Sequence, residues 1–330
     1  MSVSISRRLA LSALATPALA PAFIATGARA QAVSRPARVL VGFAAGGPTD
    51  LVARIYAERL RGAYAPSALV DNRPGASGRL AVDATRAADP DGTTLLVTPA
   101  SVMTLQPHIF PREVRYDALT DFVPVCTLCD FAFAVAVPAS HPARTLADLT
   151  TWLRAQPAEV PYGSPGAGSG PHFVGDMIGR AVGARLTHVP YRGAAPAVQD
   201  ALAARIPLVV AVVSDLLPHH GQGVRILAIS SRERLPRLPD VPTLAEAGYP
   251  ALTISEWMGL FAPARTPAPV IAALHQAIQA AVRTEEVRQV LDRLEFQPTV
   301  QGPEEFAARI RHDRDLWGPV VRASGFQPET

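Results

Sequence analysis

Short apolar runs, each closed by a Gly- or Pro-rich turn and followed by a stretch of helical period, recur along most of this chain. That alternation restricts it to an α/β architecture with a largely parallel sheet. Residues 38–43 form such a run, and after a Gly/Pro turn Leu51/Ile55 and Val52/Tyr56/Leu60 repeat at i, i+4. A strand over 94–98 follows the turn Asp89-Pro90-Asp91-Gly92, and a β-rich run over 123–137 contains a strand at 131–137. The pattern then predicts a helix over 146–153 and a strand entering the Gly/Ser loop after Tyr162. Thr187-His188-Val189 precedes a helix over 195–204, and strands follow over 206–213 and 226–230.

From Thr266 the texture becomes helical. Thr266-Pro267 reads as an N-cap followed by Pro at the first helical position. Val270, Leu274 and Ile278 line one face, Val287, Leu291 and Leu294 a second helix, and Phe306, Ile310, Trp317 and Val321 a third. A helical tail after two α/β halves is expected to pack back on the first half.

Composition removes several kinds of chemistry. The 330 residues are 48% hydrophobic and 18% charged, too apolar for a disordered chain and enough for two domains with cores. The formal charge of +3 is located in Arg7, Arg8 and Arg29, because residues 1–30 contain no Asp or Glu. What remains is neutral, which argues against a nucleic-acid partner. The sequence contains no Lys at all, so Schiff-base, P-loop and Ser-Lys chemistry are excluded.

Residues 1–30 read as a cleaved export signal: Arg7-Arg8, an Ala/Leu-rich stretch broken by Pro17 and Pro21, then Ala28-Arg29-Ala30 as an A-x-A cleavage site. Ser6-Arg7-Arg8-Leu9 resembles a twin-arginine signal with Ala10 where Phe is usual, so twin-arginine and general secretion both stay open. Either route leads to the periplasm, an oxidising compartment. The two cysteines stand in Cys126-Thr127-Leu128-Cys129. Positions three apart on a straight strand face opposite ways, which favours two separate buried thiols; a disulfide is the alternative the compartment allows. No second Cys pair exists to complete a zinc site, and no metal or cofactor is expected.

Two loops carry the functional signal. In the first, Gly42-Phe43-Ala44-Ala45-Gly46-Gly47-Pro48-Thr49-Asp50 joins a strand to a helix, and such a turn holds an anion on backbone amides. It has neither a G-x-G-x-x-G fingerprint nor a Walker lysine, and its bland reading is a tight turn with Thr49 or Asp50 as cap. In the second, Tyr162-Gly163-Ser164-Pro165-Gly166-Ala167-Gly168-Ser169-Gly170-Pro171-His172 repeats the strand–loop–helix arrangement. Two such cradles suit a ligand with acidic ends enclosed between domains. His172 is a ligand contact or a capping and packing residue. Asp71-Asn72-Arg73-Pro74-Gly75-Ala76-Ser77-Gly78 is a third ligand loop or a rigid turn, and Thr243 with Glu246 resembles a helix cap.

The string of motifs resembles the Bug-type extracytoplasmic solute receptors of tripartite tricarboxylate transporters, from about Arg35 to Gly325. The matching pieces are the first loop, Asn72-Arg73-Pro74-Gly75, Ala88-Asp89-Pro90-Asp91-Gly92 and Asp121-Phe122-Val123-Pro124-Val125. Ser164 with Gly168-Ser169 and His172, Val189-Pro190-Tyr191-Arg192-Gly193, Asp240-Val241-Pro242-Thr243 and Trp257-Met258-Gly259-Leu260 complete the series. The resemblance implies an α/β, two-domain periplasmic binding protein of type II-like, Venus-flytrap form with an interdomain ligand cleft. Domain 1 would comprise 31–127 and 255–330, domain 2 residues 128–254, with crossings near Leu128 and Ser255.

The same resemblance implies a small carboxylated ligand, no cofactor, a monomer, and delivery to integral membrane transporter subunits. It places Phe43, Ala44, Gly46, Gly47, Thr49 and Asp50 in one gripping loop and Ser164, Gly166, Gly168, Ser169 and His172 in the other, with Ser101 on the cleft wall. Alternatives are a receptor feeding a membrane sensor kinase, or a secreted hydrolase using Ser169 and His172. The sequence departs from the family where Ala203-Ala204 and Pro207 replace Gly-Gly and a following Asp, and where Val210-Ala211 replaces Phe-Asp. An acidic or polar cleft edge has thereby become apolar, and the distal end of the ligand is expected to be less polar than an amino acid or a tricarboxylate, as in an aromatic or aliphatic carboxylate.

Overall fold

A computed structural model describes Met1 and residues 32–327. The expected export signal and its cleavage after Ala30 lie outside the described residues.

In chain order, β1 (Ala37–Val41), α1 (Pro48–Leu60), β2 (Ala68–Asn72), α2 (Arg79–Arg86) and β3 (Thr94–Pro99) lead into the short helices α3 (Ala100–Thr104) and α4 (Gln106–Ile109). The long strand β4 (Phe122–Pro138) follows, then α5 (Leu146–Arg154), β5 (Val160–Ser164), α6 (Gly170–Val182) and β6 (Leu186–Pro190). After these come α7 (Ala194–Leu202), β7 (Leu208–Val212), α8 (Val213–Leu216) and β8 (Val224–Ile229). The chain ends with β9 (Ser255–Pro263), α9 (Ala268–Ala281), α10 (Glu285–Leu294), β10 (Gln297–Pro298) and α11 (Pro303–Ser324).

The sheet is mixed rather than largely parallel. Its order is β2-β1-β3-β9-β4-β7-β5-β6, with β10 and β8 also on β4. The pairs β1–β2, β1–β3, β5–β6 and β5–β7 are parallel, as βαβ connections require. Every pair made by β4 or β9 is antiparallel. The departure comes from β4, whose 17 residues far exceed an ordinary strand. Its first part pairs with β9 as far as Ala132↔Ser255, and its second part pairs with β7 from Phe133↔Val212. One strand therefore serves two parallel half-sheets that run in opposite directions, and each half points the C-terminal ends of its strands, with its loop–helix turn, toward the junction at Ala132–Phe133.

Two bulges in β4 change the facing expected of the cysteines, while the expectation of two separate buried thiols holds. Register shifts at Pro124/Cys126 and Thr127/Cys129 insert one extra residue each, so Cys126 faces Leu260 while Cys129 faces Met258, two residues away on β9. The cysteines thus share a face toward Tyr56 instead of pointing apart. Both are free and fully buried, and burial raises both thiols well above the ordinary value. The tail packs on the first half as expected: α9 and α10 lie against α1, and α11 against α3 and β4. Trp257 is wedged edge-on against Phe306 and donates Nε1–H to Asp313 Oδ2 at 2.7 Å. Thr266 is not the cap of α9; Pro267 occupies that position and Thr266 Oγ1 donates to the Pro263 carbonyl. Thr243 and Glu246 do form reciprocal cap bonds, but around a turn without a helix behind it.

Candidate functional site

The first loop is held by glycine packing and by one buried carboxylate. Gly42, at the end of β1, lies so close to Gly78 that a Cβ would come within 2.5 Å of the Gly78 backbone, so the two loops touch main chain to main chain. Asp50 accepts from the Gly46 amide (2.8 Å) and Arg54 Nε (2.9 Å) on Oδ2, and from Asn72 Nδ2 (2.9 Å) on Oδ1. Asn72 also donates to the Phe43 carbonyl at 3.1 Å. Burial alone would raise the Asp50 carboxyl; the bonds from Arg54, Gly46 and Asn72 outweigh it and hold the carboxyl below its ordinary value. Asp50 is therefore a brace behind the loop. The N-cap of α1 is Gly47, no side chain caps the helix, and the amides of Thr49 and Asp50 have no protein acceptor among the described residues.

The second loop is braced by histidines. Ser169 is the N-cap of α6: its Oγ accepts from the His172 amide (3.4 Å) and donates to the Gly166 carbonyl (2.7 Å). Ser164 Oγ pairs with His188 Nε2 at 2.7 Å. The His172 ring stacks on His188 with centroids 3.8 Å apart and accepts the Gly168 N–H on Nδ1, which leaves its proton on Nε2, toward Asp176. Burial, reinforced by the neighbouring His172, pushes His188 down to about 3, and burial lowers His172 against the opposing Asp176. Both rings are neutral scaffolding. The Ser169 hydroxyl bonds to backbone and the imidazole of His172 to Gly168, so the side chains of Ser169 and His172 do not pair with each other as the hydrolase alternative required. The amides of Ala167 and Gly170 have no acceptor among the described residues.

Both loops face one cleft of about 740 Å³. Of the residues singled out from the sequence, Phe43, Ala44, Gly47 and Thr49 line it from one side, Gly166, Gly168 and Ser169 from the other, and Ser101 from the floor. Gly46, Asp50, Ser164 and His172 do not reach the lining; Ser164 and His172 bond to the lining residues Gly166, Gly168 and Ser169, and Asp50 ties Gly46 to Asn72 behind the first loop. The open reading of the third loop resolves into the wall: Ser77 lines the cleft, and its carbonyl accepts from Gln106 Nε2 at 2.7 Å. Val210 and Ala211 are fully buried in β7 and do not edge the cleft, so the apolar character inferred from them has no bearing there. An apolar wall exists for a different reason. Phe131 and Phe133 from β4, with Phe296 stacked 4.9 Å from Phe131, form it.

Sequence reasoning passed over the charged residues of the lining, which are Arg192, Asp215 and Glu256. Glu256 Oε1 accepts the Ser101 amide at 2.6 Å. Burial raises Glu256 to about 7, against the Ser101 bond and with Asp313 adding to it. Burial likewise raises Asp215 to about 6 against the Val212 amide. Arg192 stands in the Tyr191-Arg192-Gly193 motif, and that motif is the signal in the sequence that pointed to it.

Two amide-lined turns on opposite walls of an aromatic cleft suit capture of a small anion. The model of the tripartite tricarboxylate transporter family receptor matches residues 52–326. Protein BugT of Bordetella pertussis is 31% identical over 310 residues, 92% of this chain and 95% of that one. Among solved structures, an R. palustris protein with adipate is 29% identical at TM-score 0.80, covering 89% of this chain and 99% of that one. MatC from Rhodopseudomonas palustris with bound malate is 29% identical at TM-score 0.76, covering 87% and 99%. The chain belongs to the tripartite tricarboxylate transporter receptor family.

Proposed function

We propose that this protein is a periplasmic receptor that closes on a small carboxylate and presents it, unchanged, to the membrane subunits of a tripartite transporter. One observation carries the reading: the uncapped first turn of α1, with the Thr49 and Asp50 amides unengaged, opens into a cleft whose opposite wall is a second loop–helix turn. The start of α1 holds the ligand carboxylate on main-chain N–H groups at the positive end of the helix. Gly166, Gly168 and Ser169 close over it from the other wall, and the phenylalanines exclude water. Gly46, Asp50, Ser164 and His172 act as positioning residues. The solved relatives with malate and adipate support the ligand class.

We place the hinge where β4 leaves β9 for β7, at Ala132–Phe133, and at the entry to β9, Ser255. A ligand touching both walls stabilises the closed form by its differential affinity. The test is a thermal-shift panel of mono-, di- and tricarboxylates, amino acids and aromatic acids on the purified protein. A ligand at 100 times its Kd adds about 2.7 kcal/mol, which for a chain of this length raises Tm by about 4 °C. A shift confined to carboxylates is expected. A flat panel on folded, ligand-free protein overturns the reading.

A further inference from the structure

We propose that Glu256 sets the ligand class of this cleft. The ligand carries a single carboxylate, held by the first loop, and a hydroxyl or ammonium donor that faces Glu256 in place of a second carboxylate. The proposal rests on the receptor reading above.

Glu256 lies on β9 and is only 8% exposed, yet it lines the cleft. The Ser101 amide fixes one carboxyl oxygen, Oε1, at 2.6 Å, and the Ser101 hydroxyl adds to the hold on the carboxyl; no residue other than Ser101 donates to Glu256 among the described residues. Oε2 also stands at the mouth of the second cradle. It would be 3.1 Å from a Cβ on Gly170, the first residue of α6. The protein's own carboxylate therefore faces the helix start that a second ligand carboxylate would need. Asp215 adds another acid to the same lining, against Arg192 as the cation among the described lining residues, so above the raised values of both acids the wall is one negative charge in excess.

A distal carboxylate meets like charge there, and like-charge juxtaposition in a closed site is strongly unfavourable. An apolar end fares little better, because closure strips water from Oε2 without supplying a donor. A hydroxyl or ammonium satisfies the oxygen directly.

The test compares matched ligands by calorimetry at pH 8, where Glu256, raised to about 7, is ionised. The six-carbon set is adipate, 6-hydroxyhexanoate, 6-aminohexanoate and hexanoate. The four-carbon set and the para-substituted benzoates carry the same four end groups. In the tightest series, a donor-ended ligand is expected to bind about 30-fold more tightly than both the dicarboxylate and the methyl-ended acid. E256Q keeps the acceptor for Ser101 and turns Oε2 into a donor, so it should improve dicarboxylate binding by at least about tenfold. The wild-type ranking is decisive whether or not E256Q folds. A dicarboxylate or methyl-ended acid that binds wild type as tightly as the donor-ended ligand overturns this proposal alone. Absence of binding by every acid overturns it together with the receptor reading.

Discussion

Asp50 and Glu256 are buried carboxyls at one cleft, and their surroundings push them in opposite directions. Three residues hold Asp50 in the ionised form, whereas Glu256 is buried with only Ser101 as donor and has a neighbouring Asp313. The consequence for stability has a definite sign. The Glu256 value is raised in the folded state from an ordinary 4.5 to about 7. Its stabilising protonation is therefore fully present below 4.5 and lost as pH rises through 7. In ligand-free protein, E256Q should match wild type near pH 4.5 and become more stable than it by about 3 kcal/mol by pH 8.5. Paired thermal melts across that range measure the difference, and parallel profiles would contradict the assignment. The two residues also differ in how readable they are. Asp50 sits four residues from both Gly46 and Arg54 in a Gly-rich turn, so the linear pattern already marks it. Glu256 acquires its role from Ser101, 155 residues away, only because β9 runs beside β3, and no local pattern encodes that.

At the scale of elements, the strand–loop–helix units are legible because turn chemistry and periodicity are local properties, and each loop lies where its glycines put it. Bulges are not legible in this way. The extra residues at Val125 and Leu128 exist because β4 must stay in register with β9, and they turn two cysteines spaced three apart onto one face. The cap of α9 moved from Thr266 to Pro267 for a related reason: the Thr266 hydroxyl finds the carbonyl that ends β9 and is no longer available to the helix. The contact of Gly42 with Gly78 yields a prediction at this scale. A methyl group at Gly42 meets backbone, which has no rotamer to swing away. Gly42→Ala should cost about 2 kcal/mol in denaturant unfolding. Because it displaces the start of α1, it should also weaken carboxylate binding by at least about tenfold. Unchanged affinity in a folded Gly42→Ala protein would show that the first loop is not the ligand's seat.

For the whole molecule, two half-sheets of parallel strands are joined by β4 and β9, and the open amides of both loop–helix turns converge on the cleft beside that junction. The α/β class and the resemblance to solute receptors are visible in the sequence because the motifs keep their order and spacing. The identity of the wall is not, since Phe131, Phe133, Phe296 and Glu256 come together only when β4 and β9 pair and the tail returns. The central claim is that main-chain amides at the start of α1 read the negative charge of a carboxylate. Its most direct test is calorimetric titration of the purified protein with the tightest acid of the panel and with the primary amide of that acid. The account predicts one site per chain for the acid and binding of the amide weakened by about 100-fold, the loss of charge-assisted hydrogen bonds. An amide that binds within a few-fold of the acid would contradict it.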